Sequence, residues 1–177
     1  IVLIFGGSRG SLRMNESFLE ALEELEAKDY QVVMVTGQVH YDKINNHITS
    51  LKKPLQNVTV LPYINNMVQM FQNTDLVVCR SGATTLIELT ALGLPSVLIP
   101  SPYVTENHQE ANATSLVEKD AATMILEKDL NGQSLVAEID RIMEDEPKRL
   151  QMASNSKALG ITDASTRLET IIHSLVK

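Results

Sequence analysis

The chain has 177 residues, of which 44% are hydrophobic and 21% charged. That is enough for one domain with a full hydrophobic core. A net charge of −7 argues against a nucleic-acid partner held by phosphate neutralisation. The single cysteine, Cys79, excludes an internal disulfide and fits a reducing compartment. No apolar run approaches the ~18 residues of a membrane span. The sequence opens on a strand with no basic leader, which gives the expectation that it is a piece of a longer protein.

In chain order, Ile1–Phe5 is a continuous apolar run, the pattern of a strand buried on both faces of a parallel sheet. It ends in Gly6-Gly7-Ser8-Arg9-Gly10-Ser11, and a helix follows through about Lys28, with Phe18, Leu19, Leu22 and Leu25 as its apolar stripe. Gln31–Thr36 is a second strand closed by Gly37, Tyr41–Leu51 a weaker helix, and Val58–Leu61 a third strand closed by Pro62. Asn65–Gln72 carries Met67, Met70 and Phe71 at helical spacing, a packing pattern. Asp75–Cys79 reads as a strand, Ala83–Leu92 as a helix stopped by Gly93, and Leu94–Ile99 as a strand closed by Pro100 and Pro102. Glu106–Lys119 should be helical and Ala122–Ile125 a last short strand. Gln133–Glu144, Lys148–Ala158 and Thr162–Val176 follow as helices, the last with Leu168, Ile171, Ile172 and Leu175 in a stripe that can dock its own sheet or a partner. Alternating strands and helices mean right-handed βαβ units. The expected class is α/β, a Rossmann-like doubly wound parallel sheet, as one domain over 1–177.

In such sheets ligands sit outside the carboxyl ends of the strands. The loops concerned are Gly6–Ser11, Pro62–Asn66, Arg80–Thr85 and Pro100–Gln109, each rich in Gly, Ser, Thr, Asn or Gln. Asp75 to Asn112 is the central stretch: a strand feeding a helix through a Ser-Gly turn leaves amides and the positive end of a helix dipole at the sheet edge, an anion site. In Gly6–Ser11 the glycines allow close backbone approach, and Ser8 can donate to a phosphate. The spacing is neither the dinucleotide fingerprint nor a P-loop, and a plain turn is the competing reading. Gly6-Gly7-Ser8-Arg9-Gly10 also matches the G-x-S-x-G nucleophile elbow, with Asp75 and His108 following in triad order. An elbow on the first strand is wrong for that hydrolase fold. Thr85-Leu86-Ile87-Glu88 matches a capping box, the plain reading of Glu88. The functional reading turns Glu88 to the crevice, where its carboxylate accepts from a vicinal diol such as a ribose. His40, His47, His108 and His173 lack metal-ligand spacing with each other or with Cys79, which is most simply a buried small hydrophobe. No metal site and no cofactor is expected.

GGSRGS, YINNM, CRSGATTLIELTALGLPSVLIP and HQEANA, in that order, resemble the carboxyl-terminal half of the MurG family. Members of that family are bacterial glycosyltransferases that add N-acetylglucosamine to the membrane-bound peptidoglycan precursor lipid I, giving lipid II. The resemblance runs from Ile1 to the final helix. It implies one half of a GT-B enzyme, two Rossmann-like domains facing across a cleft, with this half holding UDP-N-acetylglucosamine. By matching position, the Gly-rich loop, with Gly7 and Ser8, would contact the diphosphate. Ile64 would present its backbone to uracil. Ala83, Thr84 and Thr85 would receive the α-phosphate, Glu88 the ribose hydroxyls, and His108 and Gln109 the sugar. Relatives carry Gln-Gln where His108-Gln109 stands here. They carry an apolar residue at Thr84, which points to a backbone contact there.

The resemblance assigns no catalytic residue to this chain. The general base, the acceptor site for lipid I and the membrane contact would belong to the amino-terminal half. The full enzyme would be an N-acetylglucosaminyltransferase, a hexosyltransferase of peptidoglycan and cell wall biogenesis serving cell shape and division. It would be peripheral on the cytoplasmic face of the membrane, and the isolated domain would be soluble, binding its donor without turning it over. Two alternatives stay open: half of another GT-B enzyme, such as a UDP-sugar 2-epimerase, and a freestanding nucleotide- or partner-binding module. The pocket loops offer Arg9 and Arg80 as cations.

Overall fold

A computed structural model of the chain describes residues 1–104 and 107–175. Its strands are β1 (Val2–Phe5), β2 (Val32–Val35), β3 (Val58–Leu61), β4 (Leu76–Cys79), β5 (Ser96–Leu98) and β6 (Ala122–Met124). They form one six-stranded sheet in the order β3-β2-β1-β4-β5-β6. Every pair is parallel, with Val2 level with both Val32 and Leu76. The chain winds outward from β1 to β3, then crosses back to β4 and winds the other way. The loops after β1 and β4 therefore part at the switch point, which is where a doubly wound sheet opens a crevice.

The helices are α1 (Leu12–Glu26), α2 (Gln38–Ser50), α3 (Met67–Phe71), α4 (Ala83–Leu92), α5 (His108–Val117), α6 (Gly132–Met143), α7 (Glu146–Leu159) and α8 (Ala164–Leu175). Successive β1 side chains point to opposite faces. Val2 and Ile4 pack with Phe18 and Leu25 of α1 and Ile139 of α6. Leu3 and Phe5 pack with Phe71, Leu89 of α4 and Leu116 of α5. That two-sided burial explains the unbroken apolar strand. All four β1 residues are buried.

Most expected elements lie within a few residues of their assigned bounds. The second helix starts earlier than Tyr41, at Gln38, because Gly37 takes φ 81 and turns the chain straight from the strand into the helix. A Cβ at Gly37 would lie 2.6 Å from the Arg9 carbonyl, so only glycine fits this turn. The expected helix from Glu106 is described from His108, since Glu106 lies outside the described residues; so does Val176 at the end of the last helix. α8 keeps its stripe, but none of its described residues is buried. Leu168 is 59% exposed and Leu175 77%, so the stripe does not dock on this sheet.

Candidate functional site: an anion pocket at the sheet's carboxyl edge

The site begins with β1. The chain leaves it through Gly6 and makes a tight turn in which the Gly10 amide donates to the Gly7 carbonyl at 3.0 Å. Gly7 and Gly10 take φ 88 and 76, in the left-handed region that favours glycine. Gly10 lies so close to β2 that a Cβ would sit 2.0 Å from the Thr36 carbonyl oxygen. The same oxygen accepts from Asn15 Nδ2 at 3.1 Å, which fixes the loop against α1. Ser11 then caps α1, its hydroxyl accepting from the Met14 amide at 3.4 Å.

Across the crevice, α4 opens at Gly82, which is extended (φ −68, ψ 141) and offers no side-chain cap. Its first helical hydrogen bond runs from Leu86 N–H to Gly82 carbonyl at 3.0 Å. The amides of Ala83, Thr84 and Thr85 thus have no partner within the helix and carry the positive end of its dipole. A Cβ at Gly7 or at Gly82 would meet nothing within 4 Å, so both backbones border open space. The cap also overturns the capping-box reading of Thr85 and Glu88. With Gly82 as N-cap, Thr85 is the third helical residue and Glu88 lies a turn further on, exposed, with no side-chain hydrogen bond to any described residue.

The third wall comes from the loop after β5 and the start of α5. Gln109 accepts from the Ser101 amide at 2.9 Å through Oε1 and from the Ser81 hydroxyl at 2.7 Å through its backbone carbonyl. Asn112 Nδ2 donates to the Ser81 carbonyl at 3.1 Å. These bonds tie the α4 approach to the start of α5.

A cavity of about 690 Å³ lies between these walls and brings together Gly7, Ser8, Thr85 and Gln109 of the expected set. Ile64 lies apart, with Met70 in a shallower hollow of about 350 Å³. Ala83, Thr84, Glu88 and His108 are exposed and do not line the cavity. Sequence reasoning missed Arg13, Glu16, Tyr103 and Glu127, which also line the cavity. Tyr103 is 86% exposed, an aromatic face turned outward at the mouth.

Arg80 differs most from expectation. It does line the cavity, but both terminal nitrogens of its guanidinium are engaged. Nη1 donates to the carbonyls of Ile99 at 3.1 Å and Pro100 at 3.2 Å. Nη2 donates to the Ser11 hydroxyl at 2.6 Å and to the Glu127 carboxylate. It is therefore not a free cation for a ligand. Beneath the site, burial pushes the Cys79 thiol above its ordinary range. That is the behaviour of a packed small hydrophobe, not a nucleophile. The hydrolase alignment fails on topology. Ser8 follows the carboxyl end of β1, whereas Asp75 precedes β4 at the opposite edge, roughly 13 Å away for a strand of four residues.

A doubly wound parallel sheet whose glycine-rich turn and helix N-terminus meet at the switch point is the nucleotide-binding class of α/β domain. Within that class, the sequence matches the Glycosyltransferase family 28 C-terminal domain over residues 1–168. The chain belongs to that family.

It is 52% identical over 176 residues to a UDP-N-acetylglucosamine–N-acetylmuramyl-(pentapeptide) pyrophosphoryl-undecaprenol N-acetylglucosamine transferase of Bacillus cereus, covering 99% of this chain and 48% of the relative. It is 45% identical over the same share to the corresponding transferase of Bacillus subtilis. The fold matches the crystal structure of Acinetobacter baumannii MurG with a TM-score of 0.85 at 25% identity, over 98% of this chain and 49% of that one. A likeness to a putative UDP-N-acetylglucosamine 2-epimerase of Listeria monocytogenes, TM-score 0.73 at 15% identity over 99% of this chain and 44% of that one, shows shared fold alone. The fold is that of one half of a GT-B enzyme, and the chain spans about half the length of the curated relatives it matches.

Proposed function

We propose that the chain is the donor-binding half of a glycosyltransferase that moves N-acetylglucosamine from UDP-N-acetylglucosamine to lipid I, giving lipid II. The observation that carries this reading is the uncapped start of α4, where Gly82 and Thr85 line one cavity together with the glycine-rich turn. The names of the longer relatives, about half of whose length this chain spans, add the substrate class.

The proposed division of labour follows from charge. The diphosphate of a sugar nucleotide carries two negative charges, and Arg80 is already paired. The α4 amides and the Gly7–Ser8 backbone then hold the phosphates, with the helix dipole adding about 0.3–2 kcal/mol. Preorganised N–H donors suit a leaving group on which charge builds as the glycosidic bond to UDP breaks. Glu88 accepts from the ribose hydroxyls and the Ile64 backbone meets the uracil. Gln109, whose Oε1 is already used by Ser101, donates through its amide nitrogen to the sugar beside His108. Transfer needs a base for the acceptor hydroxyl, which this reading assigns to the amino-terminal half together with lipid I and the membrane contact. The full-length enzyme would be peripheral at the cytoplasmic face. Among the described residues no helix is long and apolar enough to cross a membrane.

The test is calorimetric titration of this chain with UDP-N-acetylglucosamine, with UDP-glucose and GDP-mannose as controls. Selective binding, weakened about tenfold or more by Glu88→Ala through the loss of charged hydrogen bonds, is the expected result. A folded chain that binds none of the three refutes the donor reading. Turnover by the chain alone refutes the assignment of the base to the missing half.

A further inference from the structure

The pocket wall includes a part-buried ion pair that belongs to no local motif. Arg80 closes β4, and Glu127 lies 47 residues later in the 3-10 turn Glu127–Asp129 that follows β6. Their side chains are 13% and 12% exposed, and both line the cavity. The guanidinium also holds the two carbonyls that end β5 and the Ser11 hydroxyl that caps α1. One side chain thus links the carboxyl ends of β1, β4, β5 and β6. Its charge is paired with the Glu127 carboxylate.

We propose that Glu127 is a charge-setting and positioning residue of the anion pocket. By pairing with Arg80 it withdraws a fixed positive charge from the cavity, leaving oriented backbone amides to select the ligand. This rests on the proposed diphosphate site but concerns selectivity, which that proposal leaves open. The charges bordering the cavity are Arg9, Arg13, Glu16, Arg80 and Glu127. Arg13 donates to the Leu130 carbonyl and so is partly engaged as well. An unpaired guanidinium here would attract any polyanion, since Coulomb attraction is indifferent to shape. Amides around a helix start favour an anion only where its oxygens meet the N–H directions. Cancelling Arg80 therefore trades raw affinity for discrimination between a nucleotide sugar and free phosphates.

The test uses the whole chain and two probes, inorganic pyrophosphate and UDP-N-acetylglucosamine, titrated at low and moderate salt with melting temperatures recorded. Glu127→Gln keeps an acceptor for Nη2 but removes the counter-charge. Pyrophosphate should then bind about tenfold tighter, with a steeper loss of affinity on adding salt. Arg80→Gln leaves Glu127 unpaired, and pyrophosphate should bind about tenfold more weakly. The double variant should return close to the parent. A merely structural brace predicts weaker binding in both single variants, in step with lowered melting temperature. Unchanged, weakened or undetectable pyrophosphate binding by Glu127→Gln overturns the proposal. If that variant does not fold, the same reading comes from the double variant, which must bind pyrophosphate more tightly than Arg80→Gln. The sign reversal with pyrophosphate stands on its own. If it appears while UDP-N-acetylglucosamine binds none of the variants, the donor reading falls and the charge assignment survives.

Discussion

Gly7 and Gly10 provide a controlled comparison, because they share a backbone conformation and differ in surroundings. Both sit at positive φ, 88 and 76. An alanine at either position incurs the left-handed penalty of about 1–2 kcal/mol, offset by about 0.4–1 kcal/mol from a stiffer unfolded chain. At Gly7 nothing lies within 4 Å of the new methyl, so Gly7→Ala should cost only about 1 kcal/mol. At Gly10 the methyl would lie 2.0 Å from the Thr36 carbonyl oxygen, and Asn15 holds that oxygen in place. Ordinary contact needs over 1 Å more, so the glycine-rich turn must part from the end of β2. We expect Gly10→Ala to cost about 3 kcal/mol or more, as overpacking against fixed backbone does, which for a chain of this length lowers the melting temperature by about 6–12 °C. Thermal and urea unfolding, with the same titration of UDP-N-acetylglucosamine, measure both consequences. Equal destabilisation by the two substitutions would refute the reasoning, since φ alone would then account for everything.

Two further outcomes concern the far end of α1. Asp140 accepts from Lys28 Nζ at 2.6 Å and from the Tyr30 hydroxyl at 2.8 Å, linking the turn after α1 to α6. Asp140→Asn should destabilise by about 1–3 kcal/mol, measured by urea unfolding, while leaving ligand affinity unchanged; a loss of affinity without a loss of stability would contradict this placement. Stability should also fall in alkali. The Asp140 hydrogen bond raises the Lys28 pKa, and burial first and Asp140 second raise that of Tyr30. Burial raises that of Cys79. A group whose folded pKa lies above its unfolded value keeps its contribution below the unfolded value and loses it as pH rises towards the folded one. Ordinary values of 9.0 for the thiol, 10.0 for the tyrosine and 10.5 for the lysine place the onset near pH 9. Urea midpoints should be flat from about pH 7 to 8.5 and decline above that. Cys79→Ala should delay the onset towards the tyrosine range.

Local chemistry explains which parts were legible in the sequence. Ala83–Leu92 is bounded as expected because its stop signal is intrinsic: Gly93 takes φ 75, a left-handed cap that needs no tertiary help. Gly37 sits at a start instead, so the chain after it read as loop while the helix had already begun at Gln38. The pocket loops were legible because topology alone puts them at the carboxyl edge. Which of their residues form the wall was not. Thr85 lines the cavity and Thr84 does not, a difference of about 100° of helical rotation. Glu127 gave no signal at all, since its partner is 47 residues away. An arginine ending a fully buried strand does require a carboxylate or carbonyls nearby. That rule predicts a partner for Arg80 without saying which of the acidic residues it is.

The pairing of Arg80 changes how the site should be understood. Had it been free, the expected cations of the loops would have made a pocket that any phosphate could occupy, and the uncapped start of α4 would have been a minor contribution beside it. With the guanidinium committed to Glu127, Ser11 and two carbonyls, the proposed donor site relies on the uncapped start of α4, where Gly82 and Thr85 line the cavity. Their orientation depends on bonds that do not touch the ligand: Ser81 to Gln109, Asn112 to Ser81, and Arg80 to the cap of α1. Rigidity of that kind suits a site whose ligand must be gripped by one end while its other end stays open to reaction. In the proposed enzyme the open end is the sugar. The closing wall is then supplied by the other half of the protein, which is why a domain so complete in its fold is expected to hold the donor without consuming it.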